Sequence, residues 1–143
     1  MDPIDQRVVE CLLSDGRATF AEIGARVGLS APAAKRRVDR LRASGAIRGF
    51  TALVDLAALG WTTEAYVEVY CRGNVSPQEL RQGLQRVPEV LSACTVSGSA
   101  DALLHMAARD IKHLEQAMER IRTEPNVART ESAIVLSRLI DRG

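Results

Sequence analysis

Apolar side chains recur at a helical spacing at the start of the chain. Ile4, Val8 and Leu12 lie four residues apart, so a helix would place them on one face. Asp2 and the proline after it suit an N-cap and the first helical position. Asp15 and the glycine after it interrupt the pattern. The sequence therefore predicts one short amphipathic helix between Asp2 and Asp15.

A second helix and a tight turn follow. Thr19 and Glu22 form a capping box, in which each side chain accepts a hydrogen bond from the other residue's free amide. Gly28 can adopt the left-handed conformation that ends a helix, Ser30 can cap the next helix, and Pro32 suits its first turn. Two helices joined by a glycine-containing turn of about three residues are typical of a helix-turn-helix, whose second helix enters the DNA major groove.

The third helix has distinct inward and outward faces. Each residue turns about 100° around a helix axis, which places Ala34, Val38 and Leu41 on one inward stripe. Arg36 lies on the opposite side. A guanidinium can pair with guanine O6 and N7 through two hydrogen bonds, so Arg36 is the candidate for contact with base edges.

Five further residues complete the predicted DNA-binding set. Lys35 and Arg40 are predicted to contact phosphates, and Ser30 and Pro32 lie at the start of the helix. Arg37 leans toward the core side. We assign it either to a structural ion pair or to a phosphate at the groove edge.

After the third helix the helical spacing stops. Residues 45–54 carry glycines followed by an extended pattern, which predicts a short wing or hinge strand. We expect a DNA-binding domain over residues 1–50, a linker or hinge strand over residues 51–62, and a second domain over residues 63–143.

The second domain begins with a strand and a helix. Residues 65–71 alternate between small apolar side chains and polar or aromatic ones, which is the period of a strand. Residues 76–79 form another capping box with proline at the first helical position. Apolar residues at helical spacing then continue until Pro88.

The rest of the domain is predicted to contain a hairpin, a helix and a last strand. Residues 90–97 and residues 103–108 are short apolar runs that predict a hairpin, Asp110 can cap another helix, and residues 127–136 are extended again. The order strand, helix, strand, strand, helix, strand is typical of a ferredoxin-like βαββαβ unit. The predicted fold class is α+β, a winged helix-turn-helix followed by this domain.

Charge is concentrated in one segment. The 143 residues carry a net charge of only +1, but residues 35–48 hold six basic side chains and one acid, a local net charge of +5. A solvated helix face has the same appearance, so the run alone does not decide for DNA. Residues 61–143 contain 10 basic and 11 acidic side chains, so the positive field belongs to the N-terminal part.

Composition excludes several classes of protein. Hydrophobic residues make up 46% and charged residues 26%, which is ordinary for a soluble globular protein. No apolar run approaches the roughly 20 residues of a membrane helix, and the first residues do not resemble a secretory leader, so we expect the cytoplasm. The three cysteines, Cys11, Cys71 and Cys94, form no C-x-x-C pair. We expect small buried thiols, and neither a disulfide framework nor a metal site.

A set of positions in the first sixty residues carries a family resemblance. These are Asp5, Leu12, Asp15-Gly16-Arg17, Glu22-Ile23, Val27-Gly28-Leu29-Ser30, Arg37-Val38, Leu41, Gly45, Ile47, Gly49-Phe50, Val54-Asp55 and Leu59-Gly60. Their spacing resembles the leucine-responsive and asparagine-responsive (Lrp/AsnC) regulators, also called feast/famine proteins. The second half is similar to the effector-binding domain of that family, so the resemblance covers nearly the whole chain.

The resemblance implies a function and an assembly. It implies a sequence-specific DNA-binding transcription regulator that responds to an amino acid or a related small effector. It also implies a homodimer formed through the sheets, with higher homo-oligomers common in the family. Tyr66 and Tyr70 share the uncovered sheet face with Glu68, a mixed surface that a plain packed edge would explain equally well.

The resemblance also points to an effector site. The residues that match it are Gly98, Ser99, Ala100, Asp101, Thr130 and Ser132. Glycine lets a backbone approach a ligand, exposed amides can hold a carboxylate, and Asp101 can pair with an ammonium group. A plain hairpin turn, in which Asp101 hydrogen-bonds its own backbone, is the alternative.

Two alanines depart from the family pattern. Relatives often carry an aromatic residue on either side of the aspartate, whereas this chain has Ala100 and Ala102. The pocket would therefore be larger or less specific. We hypothesise an effector whose side chain is bulkier than that of alanine, either aromatic or branched.

Two other classes of function stay open at this point. Some proteins with this two-domain plan decarboxylate a tetrapyrrole. However, His105 and His113 have no partner at metal-ligand spacing, so we expect no enzyme, catalytic residue or cofactor. The other class is an assembly module that does not bind DNA. Salt would distinguish it, because phosphate contacts make affinity fall with salt concentration.

Overall fold

The computed structural model describes residues 1–140, and the chain divides into two compact units between Leu53 and Val54. The helices of the first unit are α1, Pro3–Ser14, α2, Phe20–Val27, and α3, Ala31–Ala43. The elements of the second unit are β1, Thr63–Cys71, α4, Pro77–Leu84, β2, Val90–Thr95, β3, Ala102–Ala108, α5, Ile111–Arg122, and β4, Val127–Ile134.

Local caps begin and end the helices of the first unit. Asp2 caps α1 in a capping box with Asp5, and Thr19 begins α2 in the same way. Gly28 ends α2 with a φ of 78°, which costs a residue without a Cβ little. Ser30 caps α3 by accepting a hydrogen bond from the third amide of the helix. The predicted starts of all three helices are confirmed.

The core of the first unit is formed by one apolar cluster. Its buried members are Val8, Cys11, Ile23, Val27, Ala34, Val38 and Leu41. The last three are the stripe predicted for α3, so the orientation of that helix is confirmed. Gly24 marks the closest approach of α2 to the turn, because a Cβ there would lie 2.4 Å from the backbone oxygen of Leu29.

The second unit contains one four-stranded antiparallel sheet in the order β2-β3-β1-β4. Both helices cover the same face, where their apolar residues pack on alternate residues of β1 and β3. The buried strand residues include Ala65, Val67, Val69, Leu104 and Met106. This is the predicted βαββαβ arrangement, which the structure confirms.

The predicted wing or hinge strand is not formed. Residues 48–55 have no regular secondary structure, and residues 56–60 form a turn. No strand among the described residues pairs with this segment, and an extended segment without a partner leaves its backbone groups to water. Phe50, Leu53 and Val54 are all exposed here.

The cysteines differ in burial. Cys11 is buried, Cys71 is partly buried, and Cys94 is exposed. The prediction of buried thiols is wrong for Cys94. It lies opposite Leu103, which in turn lies opposite Glu68, and so Cys94 belongs to the sheet face that the helices do not cover.

None of the helices in the described part of the chain is long and apolar enough to cross a membrane.

Candidate DNA-binding and effector sites

The turn between α2 and α3 fixes the start of the candidate recognition helix. The backbone N–H of Gly28 bonds back to the carbonyl of Gly24, and the Leu29 N–H donates to the same oxygen at 2.8 Å. The Ser30 hydroxyl then accepts from the Ala33 N–H at 3.3 Å. Pro32 lies exposed in the first turn. The helix therefore begins from a closed turn rather than from a free loop.

Arg36 lies on the exposed side of α3, opposite the buried stripe. Its side chain forms no hydrogen bond or ion pair with any residue in the described range. A guanidinium that the fold does not use is free to contact a partner outside the unit.

Arg37 has the opposite environment. Its Nη1 atom donates to Asp2 Oδ2 at 2.6 Å and to Asp5 Oδ1 at 2.8 Å, and its side chain is only 23% exposed. The hydrogen bond that Arg37 donates to Asp2 is the main cause that raises the pKa of Arg37. Of the two roles predicted for Arg37, the structural ion pair is the one the structure contains.

The two predicted phosphate contacts are also paired, but at the surface. Arg40 Nη2 lies 3.2 Å from both carboxylate oxygens of Asp5, and the Arg40 side chain is 62% exposed. Lys35 Nζ donates to Asp39 Oδ2 at 2.6 Å, one helical turn away, and both side chains are about half exposed. The Lys35–Asp39 pair is exposed on both sides, and such pairs contribute about 0–1 kcal/mol, so a phosphate can replace Asp39. The Asp5 partner of Arg40 is buried.

Several cations of the first unit were not chosen from the sequence, among them Arg17, Arg42 and Arg48. The Arg42 guanidinium lies 5.9 Å from the centre of the Phe50 ring, a cation–π distance. Arg17 and Arg48 are exposed and form no side-chain ion pair within residues 1–140. Arg42 lies in the last turn of α3 and Arg48 lies beyond its end. Both belong to the basic run, but no contact was predicted for either of them from the sequence.

Residues 98–101, the loop of the candidate effector site, are hydrogen-bonded to β1 through Asp101. The Asp101 N–H donates to the Val69 carbonyl at 2.9 Å, and the Cys71 N–H donates to Asp101 Oδ2 at 2.7 Å. Gly98 has a φ of 119°, and Ala100 is buried. Asp101 therefore anchors the hairpin to the neighbouring strand rather than to its own turn, which leaves Oδ1 for another partner.

Thr130 and Ser132 lie on β4, opposite Val69 and Val67 of β1. Directly opposed residues share a face, so these side chains belong to the helix-covered face. Thr130 Oγ1 accepts a hydrogen bond from Arg122 Nε at 3.2 Å. The structure thus brings residues 98–101 to the end of β1, and places Thr130 and Ser132 on the adjacent side of that strand.

Ala102 borders a groove between α4 and β2. The groove has a volume of about 590 Å³ and is lined mainly by apolar residues of these two elements. Because alanine ends at Cβ, no side chain at this position fills the groove. An apolar ligand group would find space there.

The uncovered face of the sheet carries a polar and aromatic network. Tyr66 stacks on His105 with ring centres 4.9 Å apart, and His105 Nε2 lies 2.8 Å from Glu64 Oε2. On the same face the hydrogen bond with Glu68 raises the pKa of Tyr70. This is the mixed surface predicted from the alternation of β1.

Neither histidine is arranged as a ligand of a metal or macrocycle. His113 Nδ1 accepts from the Arg109 N–H at 3.0 Å, and its Nε2 lies 2.8 Å from Glu89 Oε1. His105 is held by Glu64 as described above. Within residues 1–140, no three His, Cys, Asp or Glu side chains are grouped to hold a metal ion.

Comparison with known families gives two matches that together cover most of the chain. Residues 1–42 match the AsnC-type helix-turn-helix domain. Residues 64–143 match the Lrp/AsnC ligand binding domain. Helices α1 and α2 and nearly all of α3 fall within the first match, and the sheet falls within the second.

Individual proteins match over nearly the full length. The HTH-type transcriptional regulator Rv2324 of Mycobacterium tuberculosis is 56% identical over 142 residues, which is 99% of this chain and 96% of that protein. The crystal structure of the leucine response regulatory protein LrpA of M. tuberculosis has a TM-score of 0.88 and 33% identity, and covers 99% of this chain and 96% of that one.

A solved structure of a similar protein contains an amino acid. The feast or famine regulatory protein Rv3291c of M. tuberculosis, complexed with L-methionine, has a TM-score of 0.88 and 34% identity. The match covers 98% of this chain and 95% of that chain.

Proposed function

This chain belongs to the Lrp/AsnC family of transcription regulators, and from that premise we propose how its own residues read DNA and respond to an effector. In this proposal α3 lies in the major groove of double-stranded DNA and Arg36 contacts base edges. The observation that carries the proposal is the outward position of Arg36, unpaired within residues 1–140, on the side of α3 opposite a buried stripe.

The other members of the site hold the helix on the DNA backbone. Lys35 exchanges its exposed carboxylate partner for a phosphate, and Arg40 contacts a phosphate with its largely exposed side chain while the buried Asp5 carboxylate holds it. Each phosphate so neutralised releases a counterion. Ser30 and Pro32 bring the start of the helix, with its positive dipole end, close to the DNA backbone. Arg37 supports the helix from the protein side through its two carboxylates.

Salt titration tests whether the surface binds DNA at all. The binding constant for a duplex taken from the DNA upstream of the protein's own gene is measured by gel shift at several salt concentrations. Its logarithm is expected to fall with the logarithm of salt concentration by about 0.9 for each neutralised phosphate. A binding constant that hardly responds to salt would contradict the proposal and favour an assembly module.

We propose an amino acid as the effector, bound at residues 98–101 with Thr130 and Ser132. Asp101 Oδ1 is the partner for the ammonium group, because Oδ2 is engaged by Cys71, and loop amides hold the carboxylate. The groove beside Ala102 favours an aromatic or branched side chain. Methionine is bound by a relative, so an amino acid is chemically reasonable for this chain.

Isothermal titration calorimetry with each proteinogenic amino acid tests the effector proposal. A large apolar side chain is expected to bind most tightly, and Asp101→Asn is expected to weaken that binding. Gln78→Glu is the matched control, an exposed change of one charge unit on α4. Binding of only the smallest amino acids would contradict the proposal.

We further propose a two-fold homodimer formed through the uncovered sheet faces, with higher homo-oligomers of such dimers. Two recognition helices would then read successive major grooves about 34 Å apart on a roughly palindromic site. The effector would act by binding one assembly state more tightly than another, since a ligand shifts an equilibrium only through differential affinity. No catalytic residue and no cofactor enter this proposal, in which the protein acts on DNA in the cytoplasm.

A further inference from the structure

We propose that Asp5, with Asp2, is a positioning residue of the DNA-binding surface: it holds Arg37 inside the first unit and Arg40 at its rim, and so leaves base contact to Arg36. The inference rests on the proposed DNA-binding role of α3. It assigns a task to the start of α1, a helix that lies outside the helix-turn-helix pair itself.

The position of Asp5 is unusual for a carboxylate near the start of a surface helix. Asp5 is only 4% exposed, and charged side chains are rarely buried unless they are paired. Its Oδ1 atom accepts from Arg37 Nη1 at 2.8 Å and from Arg40 Nη2 at 3.2 Å. One carboxylate on α1 therefore meets two guanidiniums from successive turns of α3.

Asp2 completes the cluster. Its Oδ1 caps α1 by accepting from the Asp5 N–H at 2.7 Å, and its Oδ2 accepts from Arg37 Nη1 at 2.6 Å. One nitrogen of Arg37 is thus shared by two carboxylates that lie 35 and 32 residues away in sequence. Charge-assisted hydrogen bonds of this kind are stronger than neutral ones, so they fix the Arg37 side chain and with it the contact between α3 and α1.

The electrostatic consequence concerns how much charge DNA meets. The basic run has a local net charge of +5 when counted along the sequence. Two of its guanidiniums face the carboxylates of α1, so the field outside the unit is weaker and is concentrated at the outward side of α3. A recognition helix with fewer loose cations binds random DNA less strongly, which favours the specific site.

A purely structural role for Asp5 can be separated from this positioning role. In a capping box the third helical residue needs only an oxygen that accepts from the N-cap amide. Asn keeps such an oxygen, whereas it removes the charge that holds the two arginines. Asp5→Asn therefore leaves the cap in place and releases Arg37 and Arg40.

The test uses the full chain and two duplexes, one selected by the wild-type protein from a random pool and one of scrambled sequence. Fluorescence anisotropy gives both affinities over a range of salt concentrations. For Asp5→Asn we expect the ratio of selected to scrambled affinity to fall about fivefold or more, as for a misread base pair. The salt slope on the scrambled duplex should steepen by about 0.9, because the released Arg37 gains a phosphate contact. A cap alone would change neither quantity.

Three variants control the result. Glu10→Gln removes one exposed carboxylate from the same helix and is expected to leave both quantities unchanged. Asp5→Glu keeps the charge and the cap and is expected to retain most of the specificity. Asp2→Asn, at an exposed position where Asn caps as well as Asp, should move the ratio in the same direction by less. It provides the test if Asp5→Asn does not fold.

Equal ratios and equal slopes for the wild type, Asp2→Asn and Asp5→Asn would overturn the inference. If Arg36→Ala relaxes sequence preference while these aspartate variants do not, only the positioning role fails. If Arg36→Ala also leaves sequence preference unchanged, the proposed DNA-reading role of α3 fails with it.

Discussion

Two adjacent arginines illustrate how strongly the position of a residue on a helix determines its use. Arg36 is exposed and unpaired among the described residues, whereas Arg37 donates to two carboxylates of α1. The sequence alone separates them, because a turn of about 100° moves one residue from the outward side toward the core side. It does not identify Asp2 and Asp5 as the partners of Arg37, since those contacts span more than thirty residues and depend on how α1 packs.

The pairing at Asp5 predicts a specific acid response. The Arg37 hydrogen bond holds the pKa of Asp5 below its ordinary value of 3.8. On acidification the Asp5 carboxylate is therefore protonated at a higher pH in the unfolded chain than in the folded one. The stabilisation that ionised Asp5 gives the fold is present above about pH 3.8 and is lost as the pH falls through the lowered pKa of the folded state.

This contribution is measured by urea unfolding of the wild type and of Asp5→Asn between pH 6 and pH 2, in steps of about one pH unit. The free energy of unfolding of the wild type should fall more steeply below about pH 4 than that of the variant. Parallel curves would mean that the carboxylate titrates alike in the folded and unfolded chain.

At the scale of elements, features that depend on neighbouring residues in the sequence were predicted correctly, whereas features that depend on pairing with distant residues were not. Caps at Asp2, Thr19 and Ser30 are encoded within four residues, and all three were predicted and observed. The wing strand was predicted from an extended pattern at residues 45–54 but is absent, because a strand requires a partner that this unit does not supply. The exposure of Cys94 was missed because the sequence of β2 alone does not show which of its two faces the helices cover.

The close approach at Gly24 predicts how α2 tolerates substitution. In Gly24→Ala the new Cβ would lie 2.4 Å from the Leu29 oxygen, so the helix or the turn must shift. We expect a loss of about 1–3 kcal/mol in the free energy of unfolding, the usual cost of overpacking, measured by urea denaturation.

Gly16→Ala is the matched control for this experiment. A Cβ at Gly16 would lie 3.8 Å from the Leu12 oxygen, an ordinary contact, so a change within about 0.5 kcal/mol is expected. Similar losses for the two variants would show that the fit between α2 and the turn is looser than described.

At the scale of the whole molecule, the first unit carries the proposed DNA-binding helix, and the second carries the proposed effector site and dimer face. The first unit offers one outward cationic helix, and the second offers a sheet with one uncovered face bearing Tyr66, His105 and Glu64. The sequence pattern predicted this face as mixed. It could not decide whether a second copy covers it, because polar and aromatic residues suit both an interface and a solvated surface.

Placing a cation in the middle of the uncovered face tests the dimer. Tyr66→Lys is expected to give a particle with the 15.5 kDa mass of one chain, because its charge would have to be desolvated between copies. Sedimentation velocity measures the mass. Gln116→Lys, on the exposed side of α5, is the control and should keep the wild-type mass. Equal masses for the two variants would place the interface elsewhere.

The most direct test of the central claim is a comparison of sequence preference in Arg36→Ala and Arg37→Ala. Affinities for the selected duplex and for duplexes with single base-pair changes give the discrimination at each position. Arg36→Ala is expected to lose about 1–3 kcal/mol of discrimination at one base pair, while Arg37→Ala lowers stability and retains that preference. The account is contradicted if Arg36→Ala reads the site as the wild type does and Arg37→Ala alone relaxes the choice of base.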